Sequence, residues 1–439
     1  MTLCASSLPP TRYWAHGPPF RFNEMERASS AADPLDFPLP LIEKAVLEKI
    51  SVRDHRTRVS TPIKPVIIHQ YCPKRRLLND EDRAYLLHKK IAKTAYGSIY
   101  VCIVLRKQET NEEKTMQWET SEELVAIKIS SLERIRAARG KSLEDPIKEA
   151  SALQFVGNYH SNILGCREVL QTDGYLMVVM DYCKKGNMYS RLLSNSSKNS
   201  TKPTKKKPGE AMARLWFQQI LQCLVHLENK GICHGDICLE NLLIDDDSHT
   251  VHLIDFGTAL RIPYVDQRDD GGVVDASEGT VRRLIRNKGQ SGKLTYLAPE
   301  LVDKVDAFDG FAVDLWSAGI ILFIMLVGKA PFAVASSSDY RFNEINKGRL
   351  SNIINRSDLK LSPEACNLLQ NMLWRKPDKR LNISQVLMHP WVTGCSKPPP
   401  YPHYHITEGE SNRAVDKSRS EKSDAEKRRR YVSPQGSSS

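Results

Sequence analysis

His234-Gly-Asp-Ile-Cys-Leu-Glu-Asn241, followed fourteen positions after Asn241 by Asp255-Phe-Gly257, decides the reading of this 439-residue chain. Within one turn system it places a carboxylate able to act as a base, Asp236, and two hard oxygen ligands, Asn241 and Asp255. Phosphoryl transfer from a magnesium nucleotide needs that polar inventory. Asp and Asn are also common turn formers. The apolar Ile232 and Ile237 flanking His234, and the Asp-Phe-Gly on the next turn, favour the chemical reading.

Outward from this cluster, the composition is that of a globular protein, with 41% hydrophobic and 26% charged residues. The length suits two ordinary domains or one bilobal domain with tails. Met1–Pro10 has neither a basic start nor a long apolar core, so no secretory leader is expected there. The most apolar run, Ala318–Val327, is about half the length of a membrane span. It reads as a buried helix, and no membrane span is expected. The ten cysteines include no Cys-x-x-Cys pair. That favours free thiols in a reducing intracellular compartment, cytoplasmic or nuclear, over a disulfide framework. The net charge is +11, and part of the excess lies in Lys198–Lys207 and Lys427–Arg430. These read as solvated loop and tail, with anionic-surface contact or nuclear import as the alternatives. Neither carries interleaved aromatics, so sequence-specific nucleic-acid binding is not expected.

Residues 1–40 are rich in Pro, Ser and Ala without periodicity, a pattern of disorder. The spacing of Leu41, Ala45, Val46 and Ile50 predicts a helix over Leu41–Ile50 that docks on the main domain. From Tyr85 the pattern turns to strands, with runs at Ser98–Leu105 and Leu124–Ile129. A helix near Asp145–Phe155 and strands around Arg167–Val169 and Tyr175–Asp181 follow. After Gly186 helices dominate, at Met212–Lys230, Ala312–Val327 and Pro363–Trp374. A strand-rich lobe joined to a helical lobe makes an α+β bilobal domain, placed at residues 82–393. Residues 1–81 are expected to be a mostly disordered extension and residues 394–439 a disordered basic tail.

Val125-Ala-Ile-Lys128 sets an amine on a strand that otherwise faces a core, so Lys128 is either solvent-facing or paired with a buried charge. Ile91–Tyr100 precedes it, with Gly97 near its end; Ile147-Lys-Glu149 follows it. Downstream come Tyr296-Leu-Ala-Pro-Glu300, Asp314-Leu-Trp-Ser-Ala-Gly319, Lys376-Pro-Asp-Lys-Arg380 and His389-Pro-Trp391. In this order, over roughly 300 residues, these motifs resemble the eukaryotic protein kinase superfamily, serine/threonine type. The nearest group is the calcium/calmodulin-dependent-like one, although no calmodulin- or calcium-binding segment is evident.

The resemblance implies a bilobal protein kinase fold, with ATP and Mg2+ as cofactors and protein substrates as phosphate acceptors, in a monomer. It implies Asp236 as the catalytic base, Lys128 held on the phosphates by Glu149, and Asn241 and Asp255 on the metal. Its nucleotide site comprises Ile91, Ala92, Thr94, Gly97 and Ile99 in the phosphate loop, with Ala126 and Lys128 on the next strand. Met180 as the bulky residue before hinge positions Asp181 and Cys183, with Asn187 and Leu243, completes it. Two structural pairings are also implied: Glu300 with Arg380, and Asp314 with backbone N–H groups of the catalytic loop.

The chain departs from the pattern at four places. Ala92 and Thr94 stand where the phosphate loop has glycines, which restricts the close approach of backbone N–H groups. Gly235 replaces the arginine that receives an activation-segment phosphate, so ordering through that contact is unavailable. Cys238 replaces the lysine that stabilises the transferring phosphoryl group, and a thiol cannot replace its charge. Lys293 stands where the family has a threonine touching that lysine; it either delivers the missing cation or is an exposed loop residue. The stretches from Gly97 to Lys128 and from Asp255 to Glu300 are long, which predicts a polar loop between strands in the first and an enlarged activation segment in the second. Glu240 matches an acidic position used by Arg-directed kinases, whereas the acidic residue expected after the hinge is Asn187. The competing reading of these departures is a pseudokinase acting as a binding or scaffold module.

Overall fold

The computed structural model describes residues 31–70, 83–109, 116–193, 208–245, 249–266, 273–274, 280–289, 292–355 and 361–394. The two basic stretches at 198–207 and 427–430 and the expected tail from residue 395 lie outside the described residues.

Seven strands close into a barrel: β1 (Glu43–Ile50), β2 (Lys64–His69), β3 (Arg83–Lys93), β4 (Gly97–Glu109), β5 (Met116–Ser131), β6 (Glu168–Gln171) and β7 (Tyr175–Asp181). Their order is β1-β2-β3-β4-β5-β7-β6. Neighbours are antiparallel except at the seam, where β1 meets β6 in parallel with Glu43 opposite Leu170. Alternation along a strand sends successive side chains to opposite faces. In β7, Met177 and Val179 enter the barrel interior with Ala45, Ile67, Tyr85 and Val125. Leu176, Val178 and Met180 instead join the large core shared with the helical lobe. Both faces of β7 are therefore buried, which explains its unbroken apolar run.

Three expectations are corrected here. Leu41–Ile50 does not form a helix; Glu43–Ile50 is strand β1, paired with β2 and β6. Short apolar runs satisfy the helical and the strand period equally well, and closure of the barrel decides between them. With β1 and β2 in the barrel, the domain begins well before residue 82, inside the segment expected to be mostly disordered. The stretch between Gly97 and Lys128 is not mainly a loop either. It is a long hairpin in which β4 pairs with β5 from Gly97–Ser130 to Glu109–Met116.

Helices α1 (Leu132–Ala138) and α2 (Pro146–Val156) follow β5. Asp145 caps α2 by accepting from the Ile147 backbone N–H, and Pro146 occupies the first turn, where its missing donor costs nothing. The helical lobe contains α3 (Met188–Leu192), α4 (Glu210–Asn229), α5 (Pro299–Val302) and α6 (Gly310–Val327). On α4, Ala213, Phe217, Ile220, Leu224 and Leu227 recur at helical spacing and are buried. Against them packs α6, which is apolar all round and 94% buried. It is the one helix among the described residues long and apolar enough to cross a membrane, and it forms the centre of the lobe. The architecture is the α+β bilobal one expected.

Candidate active site

Lys128 lies on β5, whose register opposite Val178 of β7 and Ile99 of β4 points it into the cleft between the lobes. Glu149 rises from the first turn of α2 to meet it. The Lys128 Nζ stands 2.9 and 2.7 Å from the two Glu149 carboxylate oxygens and 3.4 Å from Asp255 Oδ1. Both Lys128 and Glu149 are buried. Burial alone would favour a neutral amine, but Glu149 and Asp255 outweigh it and hold Lys128 protonated. Burial likewise pulls the Glu149 carboxyl upward against Lys128. For Asp255 the burial penalty is overcome by Lys128 and His234, so its carboxyl falls below its ordinary value and stays ionised.

The catalytic loop hangs from the buried end of α6. Asp314 accepts from the His234 N–H at 2.6 Å and from the Gly235 N–H at 2.9 Å, the pairing expected of it. The His234 ring bridges Ile254 O at 3.0 Å and the Asp236 N–H at 3.3 Å, and it packs edge-on against Phe256. The loop and the Asp255 turn are thereby locked together. Asp255 itself has φ +68, a left-handed conformation that an aspartate rarely adopts without external support. Gly235 has φ +78, and a Cβ there would meet Thr258 O at 3.1 Å, so a side chain at this point is strained.

The Asp236 side chain is held at one of its two oxygens. Asn241 Nδ2 donates to Asp236 O at 2.9 Å and to Asp236 Oδ2 at 3.0 Å. Among the described residues the other oxygen, Oδ1, is buried without a hydrogen-bond partner. Gly292 (φ +95) packs against it so closely that a Cβ would lie 3.1 Å away. A buried carboxylate oxygen without a donor is costly, and a substrate hydroxyl is a donor of the required kind.

Lys293 reaches this point from the activation segment. Its Nζ is 3.1 Å from Cys238 Sγ and 3.6 Å from Glu240 Oε2. Burial pushes the Cys238 thiol up to about 12, with Asp236 adding and Lys293 opposing. Cys238 is therefore a neutral thiol, and the positive charge at this position belongs to Lys293. With 45% of its side chain exposed, Lys293 faces both the cleft and the solvent.

The expected nucleotide residues fall on or between β3 and β4, on β5 and β7, and on the chain after β7. Ala126 is opposite Met180 in the β5–β7 ladder, and Asn187 bridges to Leu243. Asp181 is taken up by Arg167 at 2.5 Å, and Asn187 caps α3 by accepting from the Ser190 N–H at 2.9 Å. Cys183 is a half-buried free thiol, pushed up to about 11 chiefly by burial. In the phosphate loop, Ile91 is exposed and Ala92 pairs with Ile99 across the β3–β4 hairpin. Thr94 Oγ1 accepts from the Gly97 N–H at 2.9 Å, closing the loop on itself. A Cβ at Gly97 would sit 1.9 Å from Ile129 O, so this glycine is demanded by strand packing.

Glu300 and Arg380 form the expected buried pair, two-pronged at 2.8 and 2.6 Å, with the guanidinium stacked 4.6 Å from the Trp316 ring. Arg380→Ala would strand Glu300 in the interior. It should cost about 3 kcal/mol of stability, measured by urea unfolding, because breaking a buried pair exposes the desolvation of the partner left behind.

Three contributors had no signal in the sequence. Glu144, just before α2, reaches the cleft; a Cβ at Gly257 would lie 3.0 Å from its Cγ, and burial raises its carboxyl while Lys128 opposes. Tyr96, at the tip of the phosphate loop, is buried and donates to Glu144 O at 2.7 Å. Arg282 is drawn inward by Glu228 at 2.6 Å and Asp309 at 2.7 Å. It fixes the activation segment to the ends of α4 and α6.

A fold and a cleft of this kind define a phosphotransferase-like bilobal domain. Residues 113–392, more than half of the chain, match the sequence profile of the protein kinase domain, and the chain belongs to that family. Over 233 residues it is 30% identical to serine/threonine-protein kinase kin-29 of Caenorhabditis briggsae, covering 53% of this chain and 24% of that protein. Over 281 residues it is 28% identical to CBL-interacting serine/threonine-protein kinase 5 of Arabidopsis thaliana, covering 63% and 54%. Over 238 residues it is 32% identical to serine/threonine-protein kinase cds1 of Schizosaccharomyces pombe, covering 53% and 45%. The chain thus spans about half or less of the length of these relatives.

Proposed function

We propose that this chain is an active, magnesium-dependent protein kinase that transfers the γ-phosphoryl group of ATP to serine or threonine hydroxyls, with Lys293 standing in for the missing catalytic-loop lysine. The observation that carries the reading is the closed Lys128–Glu149–Asp255 charge cluster. It aligns the two lobes as a phosphate-binding cation and a metal-binding carboxylate require. The serine/threonine assignment is supported by the names of the relatives that the chain resembles.

The donor set suits magnesium. Asp255 is kept ionised, and Asn241 commits its amide nitrogen to Asp236, leaving the amide oxygen for a cation. Magnesium bound there would neutralise phosphate charge as the leaving group departs. The chain's own groups do the rest. Asp236 Oδ1 accepts the proton of the substrate hydroxyl as its oxygen bonds to the γ-phosphorus and the bond to ADP breaks. Lys128 holds the phosphates of ATP, and Lys293 meets the charge on the transferring group. Lys293 engages Glu240, and the position expected to be acidic after the hinge is Asn187, which caps α3, so a basic-directed preference has little acidic support.

One observation favours the second reading, a pseudokinase used as a binding module. The Gly97 N–H, a potential phosphate donor, is already taken by Thr94. Incubation of the full chain with γ-labelled ATP, Mg2+ and a generic protein substrate separates the two. The enzyme reading expects phosphoserine or phosphothreonine label that disappears with EDTA. No label at any magnesium concentration, from a chain that still melts cooperatively, would sink it.

A further inference from the structure

The activation segment of this chain has no arginine beside Asp236 to receive a phosphate, since Gly235 occupies that place. Yet residues 280–289 take up a defined path, and the segment preceding β1 accompanies them. Ala32 N–H donates to Leu284 O at 3.0 Å, and Arg286 N–H donates to Ala32 O at 2.9 Å, a parallel bridge. Asp33 stands 3.5 Å from Arg286 and 3.2 Å from Lys288. Leu35 then bridges to Arg261, six residues beyond Asp255, with Leu35 N–H donating to Arg261 O at 3.0 Å. The Arg261 guanidinium donates to Asp36 O and stacks 4.7 Å from the Phe155 ring. Phe37 meets the same Phe155 edge-on at 6.0 Å. Finally Gln154 clasps the Leu41 backbone, accepting from its N–H at 2.7 Å and donating to its carbonyl at 2.9 Å. Two residues later the chain enters the barrel as β1.

Residues 31–42 therefore touch, in succession, the activation segment, the stretch after Asp255, and the end of α2. These are the three parts whose placement decides whether Glu149 meets Lys128 and whether Lys293 meets Cys238. Much of the contact is backbone to backbone or through the buried Arg261, which gives it geometric definition beyond that of exposed ion pairs. Phe155 and Gln154 lie on the same helix as Glu149.

We propose that residues 31–42 are a positioning segment that holds α2 and the activation segment in the catalytic arrangement, in place of the phosphate contact that Gly235 cannot make. Its effect on catalysis rests on the kinase reading; its effect on order does not. Ordering of the activation segment is then built into the chain and does not depend on its phosphorylation.

Hydrogen exchange on the full chain, paired with steady-state kinetics, tests this. Ala32→Pro removes the donor to Leu284 and should speed exchange of the Arg286 amide by about tenfold. Phe37→Ala should speed exchange across residues 153–156 and raise KM for ATP about fivefold, with Phe37→Leu restoring most of it. Exchange in α6 should not change in any of the three, whereas a general loss of stability would move it as well. Unchanged exchange at both segments, or an equal rise in α6, would overturn the proposal. A wild type that transfers no phosphate would defeat the kinase reading while the exchange data still decide the role of the segment.

Discussion

Replacing Lys293 with Met should lower kcat by about 10²-fold while leaving KM for ATP nearly unchanged, because removing one group aimed at charge that develops in the transition state costs about that much. Lys293 Nζ lies 3.1 Å from Cys238 Sγ, so two side chains share one place and only one of them is charged. The pair should therefore be exchangeable as a unit. Cys238→Lys alone would bring two ammonium groups together and should impair the enzyme. Cys238→Lys combined with Lys293→Thr puts the single cation on the opposite wall and should recover most of the lost rate. Such coupling between neighbours is what a double-mutant cycle measures. A Lys293→Met enzyme with wild-type kcat would end the idea, as would a double variant no better than its parents.

The second large effect concerns Lys128 and Glu149. Glu149→Gln should reduce kcat/KM by about 10²-fold and cost about 3 kcal/mol of stability, since Lys128 stays buried after losing its two-pronged partner, with Asp255 at 3.4 Å left beside it. Lys128→Met should behave alike, leaving Glu149 as the uncompensated charge. Stability and activity part company in the double variant Lys128→Met/Glu149→Met. An apolar pair of similar size removes the desolvation penalty on both sides, so stability should return toward wild type while transfer stays lost. Urea unfolding beside initial rates checks this; a double variant whose stability loss equals the sum of the singles would contradict it.

The sequence made the chemical centre legible because the chemistry restricts residue types at short, fixed spacing. Asp236, Asn241 and Asp255 had to be carboxylate or amide oxygens within one turn system; Asn241 donates to Asp236, and the Ile254 N–H, one residue before Asp255, donates to Asn241 O at 3.0 Å. The partners of Lys128, Glu300 and Asp314 came through family resemblance, and each is found within hydrogen-bond distance. Lys293 could be singled out because one letter was missing at Cys238 and a cation stood where a threonine was expected. What stayed illegible has a common cause in long-range packing. Strand β1 carries an apolar pattern that fits either period, and only its neighbours β2 and β6 choose. Ala32 and Leu35 act through their backbones, which leave no trace in side-chain type. Arg282 is enclosed by Glu228 and Asp309, which are distant from it in sequence and leave no local mark beside it.

Single-turnover transfer from γ-labelled ATP by the wild type and by Asp236→Asn tests the central claim most directly. Asn is isosteric, and Asn241 can still donate to its amide oxygen, so folding and Mg·ATP binding should be retained. Loss of the group that takes the hydroxyl proton should slow transfer by about 10²- to 10⁴-fold. Equal rates in the two proteins, with equal nucleotide binding, would contradict the account.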